Sequence, residues 1–404
     1  MKKKYMRVGT SFFKKSLYPT ISGQNLEVLL PWSAETIRQD HGKKLISEIE
    51  NYDGFICFPE NRIEHYQKNH LGYYNTYHSM SKVPLEGTID NIQKFMEHIF
   101  GEQVELGFDY LQLLYLKPIQ ILPILCLISR ERSTGKSTFL KFLKEIFEYN
   151  MTFLTNSDFT SQFNSDWSSK LIIAIDEVLF KTDELTERIK YLSTTNSHKT
   201  EAKGKDKRES NFFGKFILCS NNETSFIKID SNETRFWVRK IVSYETEDVH
   251  FLSKLVNEIP ALLFFLTNRK YSTENSSRMW FTPQQIKTNA LQKLVKHSCN
   301  KIEIELANVF STIMDSLNLD ILQFCFSDVL NFLNKFRLKY DAAEIKKIIR
   351  TNWKLEQQSN SNSYQKISVS NDFDFYQNSA KGRYYSITRE YLSKNFDDLM
   401  TNED

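Results

Sequence analysis

The chain has 404 residues, of which 40% are hydrophobic and 25% are charged, a composition typical of a globular protein with two or three domains. Its net charge of +3 excludes attraction of nucleic acid by a global positive field, so any such contact needs a local basic patch. The five cysteines are scattered and none has metal-ligand spacing, which predicts reduced thiols in a cytosolic protein. The basic N-terminus lacks the apolar core of a signal peptide, and no apolar run is long enough to span a membrane.

Residues 1–85 are rich in aromatic and turn residues and predict a small N-terminal α+β domain. Its tyrosines either pack the core, which we favour, or stack on nucleic-acid bases. Residues 86–118 repeat apolar side chains at helical spacing on both sides of Gly101, which predicts a helical collar of two helices. The core of the chain is predicted over residues 119–268.

The core is predicted around a phosphate-binding loop. A short apolar run, residues 124–128, is typical of a buried strand, and an apolar-periodic stretch after residue 138 predicts a helix. Between them lies a polar loop that ends in Gly-Lys-Ser-Thr. Strand, glycine-containing loop and helix are the context that a phosphate-binding loop requires. The predicted nucleotide-binding residues are Ser133, Thr134, Gly135, Lys136, Ser137 and Thr138.

These residue types suit a nucleotide and a metal ion. Backbone N–H groups at a helix N-terminus attract phosphate oxygens. Lys136 would reach the terminal phosphates of ATP, and the Ser137 hydroxyl would bind Mg²⁺. The pattern departs from the usual one because Arg130 occupies the position of its first glycine.

Two further strand ends carry polar side chains. The apolar run 171–175 ends in Asp176 and Glu177, of which Asp176 would hold Mg²⁺ and Glu177 would polarise the attacking water. The run 216–219 is followed by Ser220 and Asn221. An amide at that point can orient the water and sense hydrolysis, or it can simply cap a turn.

A basic segment lies between these two strands. It is either a solvated surface loop or a hairpin that binds a phosphate backbone. Its basic residues are Lys199, Lys203, Lys205, Lys207 and Arg208. Farther on, Arg235 and Arg239 follow the third strand; in a ring, one of them could stabilise charge on a neighbouring subunit's nucleotide, and otherwise both are ordinary solvated arginines.

The order of these features resembles the superfamily 3 helicases, which are AAA+-related ring ATPases of viruses, phages and plasmids. The likeness is greatest to the helicase part of phage and plasmid primase-helicase proteins, over roughly residues 70 to 265. The segments that carry it are SRERSTGKSTFL, LIIAIDEV, EAKGKDKRES, FILCSNNE and ETRFWVRK. In that family an arginine or lysine can stand at the first-glycine position.

The resemblance implies roles for individual residues. It implies that Lys203 or Lys205 contacts single-stranded DNA in a central channel and that Asn221 is the sensor. It further implies that Arg235 is the arginine finger, with Arg239 as second choice. It implies ATP and Mg²⁺ as ligands, a hexameric ring in the cytoplasm of a bacterial host, and a separate primase or other replication protein as partner.

The end of the chain is less specific. Residues 272–277 have the composition of a linker, and residues 278–404 predict a mostly helical accessory domain. Helices followed by a strand pair suit a winged helix, with Lys346, Lys347 and Arg350 on an exposed face; a protein-binding helical domain fits equally well.

The sequence therefore predicts an α/β protein whose core is a P-loop NTPase with a parallel sheet. We interpret it as a replicative DNA helicase, the alternatives being a nucleotide-dependent regulatory switch and an origin-binding initiator ATPase.

Overall fold

The computed structural model describes residues 4–19, 25–180, 182–201, 208–230, 233–244, 248–298, 301–370 and 374–400. The chain divides into two compact units. The first contains residues 1–227 and 234–291, and the second contains residues 228–233 and 292–404.

The N-terminal part of the first unit is an α+β arrangement with two small sheets. The first sheet contains β1 (Tyr5–Val8), β2 (Ser11–Pro19), β3 (Asn25–Trp32) and β4 (Glu50–Tyr52), in the order β3-β2-β1-β4. Helices α1 (Ala34–His41) and α2 (Lys43–Glu48) join β3 to β4. The second sheet contains β5 (Gly54–Ile56), β6 (Asn69–His70) and β7 (Tyr73–Asn75), in the order β5-β7-β6. Tyr74 and Tyr77 are buried, as the core-packing interpretation expected, whereas Tyr73 is exposed.

Two helices precede the core, α3 (Asp90–Phe100) and α4 (Val104–Leu116). They separate at Gly101, which has a positive φ of 51°, a conformation that glycine adopts at little steric cost. Both helices bury apolar side chains in the same hydrophobic cluster as the core sheet. The break predicted at Gly101 is therefore present.

The core is a five-stranded sheet with every neighbouring pair parallel. Its strands are β8 (Ile124–Ile128), β9 (Met151–Leu154), β10 (Ile172–Ile175), β13 (Lys215–Ser220) and β14 (Phe236–Lys240), in the order β14-β8-β13-β10-β9. The three central strands are buried along their whole length, which explains their continuous apolar runs. The connecting and covering helices are α5 (Lys136–Phe147), α6 (Asn156–Thr160), α7 (Asp183–Leu192), α8 (Phe251–Asn257) and α9 (Ile259–Asn268).

A short antiparallel hairpin lies between α7 and β13. It is formed by β11 (Ser197–Thr200) and β12 (Arg208–Asn211), with Thr200 opposite Arg208. The basic segment therefore begins and ends in paired strands.

Composition predicts a linker at residues 272–277, but the first two residues of this stretch are hydrogen-bonded to α4. The buried carboxylate of Asp109 accepts hydrogen bonds from the backbone N–H groups of Ser272 and Thr273 at 3.0 and 2.9 Å. Both hydroxyls donate to the same carboxylate, at 2.8 and 2.6 Å. Small polar residues are used here to satisfy a buried charge, which composition alone does not distinguish from a linker.

The second unit is mixed α/β. Its helices are α10 (Asn289–Ser298, which begins in the first unit), α11 (Lys301–Ser316), α12 (Phe326–Lys335), α13 (Ala342–Lys347) and α14 (Arg389–Met400). Its strands are β15 (Ile321–Phe324), β16 (Asn362–Val369), β17 (Phe375–Gly382) and β18 (Tyr385–Thr388). β16 pairs with β17 and β15 pairs with β18, all antiparallel. Only two residues separate β17 from β18, so consecutive strands pair with β16 and with β15.

Among the described residues, no helix is both long enough and apolar enough to cross a bilayer.

Candidate functional site

Three neighbouring strands of the core sheet end at one edge, and a predicted site residue follows each of them. β8 leads into the loop at residues 129–135, β10 is followed by Asp176 and Glu177, and β13 is followed by Asn221. Ile128 lies opposite Ser220 and Ile175 opposite Leu218. Since the strands are parallel, their carboxyl ends meet, which is where open α/β sheets bind ligands.

The backbone of the loop has the conformation of an anion-binding loop at a helix N-terminus. Ser133 and Gly135 have φ values of 52° and 87°, and α5 starts at the next residue. A Cβ atom on Gly135 would come within 3.2 Å of the rings of both Phe95 and Tyr244. Gly135 is therefore required for its conformation and for its close packing.

Arg130 does not have a positive φ, so its position does not demand glycine. Its backbone N–H donates to the carboxylate of Glu223 at 3.0 Å, and the same carboxylate pairs with the Lys240 ammonium at 3.0 Å. Although burial opposes ionisation, these two contacts lower the pKa of Glu223. The loop entry is thus held by Glu223, while the Arg130 side chain is exposed.

Lys136 points back into the loop. Its ammonium donates to the Ser129 carbonyl at 3.2 Å and to the Thr134 hydroxyl at 3.1 Å. Burial lowers the pKa of Lys136 below its ordinary value, against the opposing influence of Asp176 and Glu223. These hydrogen bonds keep the ammonium at the concave side of the loop.

The Ser137 hydroxyl donates to Asp176 Oδ2 at 3.1 Å. Both side chains are exposed at the sheet edge. A hydroxyl oxygen beside a carboxylate is a hard oxygen pair of the kind that binds Mg²⁺, which usually takes one or two protein ligands and completes its shell with phosphate and water. The residues present therefore fit a Mg²⁺–nucleotide complex.

Glu177 is exposed and has a left-handed backbone, with φ of 56°. Its N–H donates to Asp176 Oδ1 at 3.0 Å, and its carbonyl accepts from the Asn156 side chain at 3.2 Å. Non-glycine residues seldom adopt this conformation. It turns the chain sharply after β10 and leaves the carboxylate in solvent beside Asp176.

The two asparagines after β13 differ. The Asn222 side chain closes a turn, because its oxygen accepts from the N–H groups of Thr224 and Ser225 at 3.0 and 2.8 Å. Asn221 is exposed, and its side chain makes no hydrogen bond within the described ranges. The turn-capping alternative thus applies to Asn222, and Asn221 is available to a ligand at the sheet edge.

The two candidate arginines have different surroundings. Arg235 precedes β14, and its carbonyl accepts from the N–H of Ile124 at 2.8 Å, so it lies at the amino edge of the sheet, one strand length away from Lys136. Arg239 lies within β14, and its buried guanidinium pairs with Glu102 at 2.6 Å and bonds Gln103 at 3.0 Å. Arg239 is therefore part of the chain's own packing.

Of the predicted DNA-binding residues, Lys199 is exposed on β11 and Arg208 begins β12. Lys203, Lys205 and Lys207 lie outside the described residues.

Sequence reasoning missed four residues at this edge: Ser129, Glu223, His98 and Asn156. His98 bonds the Thr134 carbonyl at 3.0 Å and stacks on Tyr244 with ring centroids 3.8 Å apart. Asn156 is the second residue after β9 and the first of α6, whereas Asp176 directly follows β10. Its place after a strand was the signal that could have identified it, whereas His98 comes from a helix with no such signal.

Comparison with known proteins finds one family model, which matches part of the core. A protein-family model of unknown function, DUF5906, matches residues 127–239, a region that holds the loop, the acidic pair, Asn221 and both arginines. No curated protein matches the chain.

Solved structures give a longer match. The apo structure of the NrS-1 C-terminal region aligns with 96% of this chain and 96% of that one, at 14% identity and a TM-score of 0.64, and an A-form apo structure of the same region scores 0.64. The chain therefore shares the fold of that region. A JCV helicase structure aligns over 57% of this chain and 66% of that one at 15% identity, with a TM-score of 0.31, which does not establish a common fold.

Proposed function

We propose that this protein is an ATP-dependent DNA helicase of the superfamily 3 type, AAA+-related and ring-forming, that acts in replication of a phage, plasmid or other mobile element. The observation that carries the proposal is the Ser137–Asp176 contact of 3.1 Å beside Lys136. It joins the phosphate loop to the acidic strand end, as hydrolysis of Mg²⁺-ATP requires. The long match to the NrS-1 C-terminal region supports the fold on which the proposal depends.

Each residue of the edge then has a role. The amides from Ser133 to Thr138 bind phosphate oxygens, and Lys136 leaves Ser129 and Thr134 to neutralise the terminal phosphates. Ser137 and Asp176 would hold Mg²⁺, which would supply positive charge beside the phosphates. Glu177 accepts a proton from the attacking water, and Asn221 orients that water.

The position of Arg235 favours a ring. A residue at the amino edge of the sheet cannot reach a phosphate held at the carboxyl edge of the same chain, because a five-residue strand is roughly 16 Å long. In a ring it would instead act on the phosphate of a neighbouring copy and stabilise charge in the transition state. Arg239, already paired with Glu102, is the weaker candidate.

DNA would bind at the hairpin of β11 and β12. Lys199 and Arg208, together with Lys203, Lys205 and Lys207, would contact the phosphate backbone of single-stranded DNA. Movement of such hairpins during the ATP cycle would drive translocation through a hexameric ring.

We further propose that the second unit is a winged helix. β16 pairs with β17 and β15 pairs with β18, and α12 and α13 lie between β15 and β16 in sequence. This order of elements supports the topology. Exposed Lys346, Lys347 and Arg350 on and just after α13 would face duplex DNA. This arrangement also supports the second candidate function, an origin-binding initiator that hydrolyses ATP without unwinding DNA.

The test is the ATPase rate of the wild-type protein with and without single-stranded DNA. Lys136→Ala is compared with Lys141→Ala, which removes an exposed lysine from the same helix. We expect DNA-stimulated hydrolysis that Lys136→Ala abolishes and Lys141→Ala retains, together with strand separation of a forked duplex. Hydrolysis indifferent to DNA would instead favour a regulatory switch, and hydrolysis without strand separation would favour the initiator.

A further inference from the structure

We propose that His98 and Tyr244, which lie outside the phosphate-binding loop at residues 129–135, set the phosphate affinity of this loop by fixing the direction of its N–H groups. Both are positioning residues, because each acts through a backbone carbonyl of the loop and not on the nucleotide itself. The inference rests on the proposed function and deepens it, since it names the groups that prepare the site for a diphosphate or triphosphate.

Two consecutive carbonyl groups of the loop are held from outside it. The Ser133 carbonyl accepts from the Tyr244 N–H at 3.2 Å, and the Thr134 carbonyl accepts from Nε2 of the His98 ring at 3.0 Å. A carbonyl oxygen can only accept, so the His98 ring carries a proton on Nε2. One donor is therefore a backbone group, and the other is a side chain that substitution can remove.

These contacts determine where the following N–H groups point. In a trans peptide, the C=O of one residue and the N–H of the next lie in one plane and point in opposite directions. Tyr244 therefore turns the Thr134 N–H away from itself, and His98 does the same for the Gly135 N–H. Neither N–H donates to any group in the part of the chain that the structure describes, so both are available to an anion.

The backbone of the loop brings such N–H groups together. Ser133 and Gly135 are left-handed, with φ of 52° and 87°, whereas Thr134 between them does not have a positive φ. Alternation of this kind turns successive N–H groups toward one concave side, where they bind anions. A left-handed serine is unfavourable and persists only where its surroundings hold it. The bonds from Tyr244 and His98 are contacts of that kind.

His98 lies near the end of α3, a helix that is itself fixed. The carboxylate of Glu258 accepts from the N–H groups of Asn91 and Ile92 at 3.2 and 2.9 Å and so caps the start of the helix. Phe95, about one turn before His98, is fully buried in the core. The imidazole is therefore presented to the loop by a rigid element, which reduces the ordering cost when phosphate binds.

Tyr244 is placed by the stretch that follows β14. The preceding residue, Ser243, donates its N–H to the Glu131 carboxylate at 3.1 Å, so this stretch runs beside the loop. The Tyr244 ring stacks on the His98 ring with centroids 3.8 Å apart and meets the Phe251 ring edge-on at 5.8 Å. Each member of the stacked pair therefore keeps the other in place against its own carbonyl.

The hydrogen bond from His98 is tested by replacing the residue while the stack is kept. His98→Phe retains a flat ring beside Tyr244 and removes the donor, whereas His98→Gln supplies an N–H donor again. We expect the Kd of a fluorescent ADP to rise about 10-fold in His98→Phe and to stay within about threefold of wild type in His98→Gln. KM for ATP should rise with little change in kcat, because the lost binding is shared by the ground state and the transition state.

Competition by inorganic pyrophosphate separates an effect on the phosphates from an effect on the base. Its inhibition constant should rise by the same factor as the Kd of ADP, because the N–H groups of Thr134 and Gly135 face phosphate oxygens. An unchanged pyrophosphate constant beside weakened ADP would show that the rings of His98 and Tyr244 contact the base instead. That result would overturn the proposal.

The second residue is tested with Tyr244→Ala, which removes the ring on which His98 rests and should weaken ADP about as much as His98→Phe. Tyr244→Phe should restore the affinity, since the buried phenolic hydroxyl has no hydrogen-bond partner among the described residues. His70→Phe is the matched control, because that ring stacks on Phe58 at 4.5 Å in the second small sheet. Thermal melting checks folding; if His98→Phe is unfolded, His98→Leu against His98→Gln carries the test.

The two proposals fail in different ways. Absence of both nucleotide binding and hydrolysis in the wild-type protein would refute the proposed function. Wild-type ADP affinity in a folded His98→Phe, or an equal loss in His98→Phe and His98→Gln, would refute only the positioning role and leave the helicase proposal standing.

Discussion

The Ser137 hydroxyl and the Asp176 carboxylate lie 3.1 Å apart although 39 residues separate them in the chain. The contact arises because β8 and β10 flank β13 in one parallel sheet and end at the same edge. Neither oxygen is buried, so nothing in the packing demands that they meet. Both oxygens are thus accessible at the sheet edge, which is the arrangement that the proposed Mg²⁺ site requires.

Ser137→Ala and Asp176→Asn should each raise the Mg²⁺ concentration needed for half-maximal ATPase activity by at least about 10-fold, because each removes an oxygen ligand or its charge. Mg²⁺ titrations of the ATPase rate measure this. Ser316→Ala is the control, because among the described residues this hydroxyl bonds only to its own helix. A fall in rate with the same Mg²⁺ midpoint would contradict a metal role for Ser137.

Arg235→Ala and Lys136→Ala should each be inactive alone and regain activity when mixed. In a mixed ring, some interfaces combine an intact Lys136 from one subunit with an intact Arg235 from the next. The measurement is ATPase rate against mixing ratio after subunit exchange. If Arg235 acts within its own chain, no mixture recovers activity.

Arg239→Ala serves as the contrast in that experiment. It removes a buried guanidinium from Glu102 and Gln103, and we expect a loss of stability of about 1–3 kcal/mol seen as a lower Tm. Because its role is structural, its mixture with Lys136→Ala should recover no more activity than Arg239→Ala has alone.

Arg130→Gly should leave ATPase activity within about twofold, since residue 130 needs no left-handed backbone and its N–H, not its side chain, binds Glu223. Gly135→Ala should raise the free energy of the native loop by about 1 kcal/mol or more, because the backbone is left-handed and the new Cβ would contact Phe95 and Tyr244 closely. This variant should therefore lose nucleotide binding. Fluorescent-nucleotide titration of both variants tests the pair. Equal loss in both would show that the first-glycine position matters after all.

Lys215 should make stability depend on pH. It is fully buried at the start of β13, donating to the carbonyls of Pro118 and, at 2.6 Å, Phe213, and burial lowers the pKa of Lys215 from its ordinary 10.5 to about 7. Between these values the unfolded chain binds a proton that the folded protein does not, so stability rises with pH across that window and is lowest near and below pH 7.

Lys215→Met should remove this contribution. The free energy of unfolding of the wild-type protein, relative to that of Lys215→Met, should increase between pH 7 and pH 9. Urea unfolding of both proteins at the two pH values provides the comparison. A difference that does not change with pH would mean that Lys215 is protonated in the folded state throughout.

Features that depend on local order along the chain were predictable. A buried strand followed by Gly135 and an amphipathic helix predicts the loop, and polar residues after the runs 171–175 and 216–219 predict their place at strand ends. The break at Gly101 and the paired strands around the basic segment were predictable for the same reason. Periodicity and turn chemistry involve residues close in sequence.

Features that depend on contacts between distant segments could not be predicted from the sequence. Only the folded chain decides that Arg239 pairs with Glu102 while Arg235 lies at the opposite edge of the sheet, since both occupy the same sequence motif. Composition likewise suggested a linker where Ser272 and Thr273 satisfy Asp109. The sequence by itself determined which residue types stand at the ends of the strands; the tertiary structure decided which of them meet, because side-chain contact depends on strand order and register rather than on spacing along the chain.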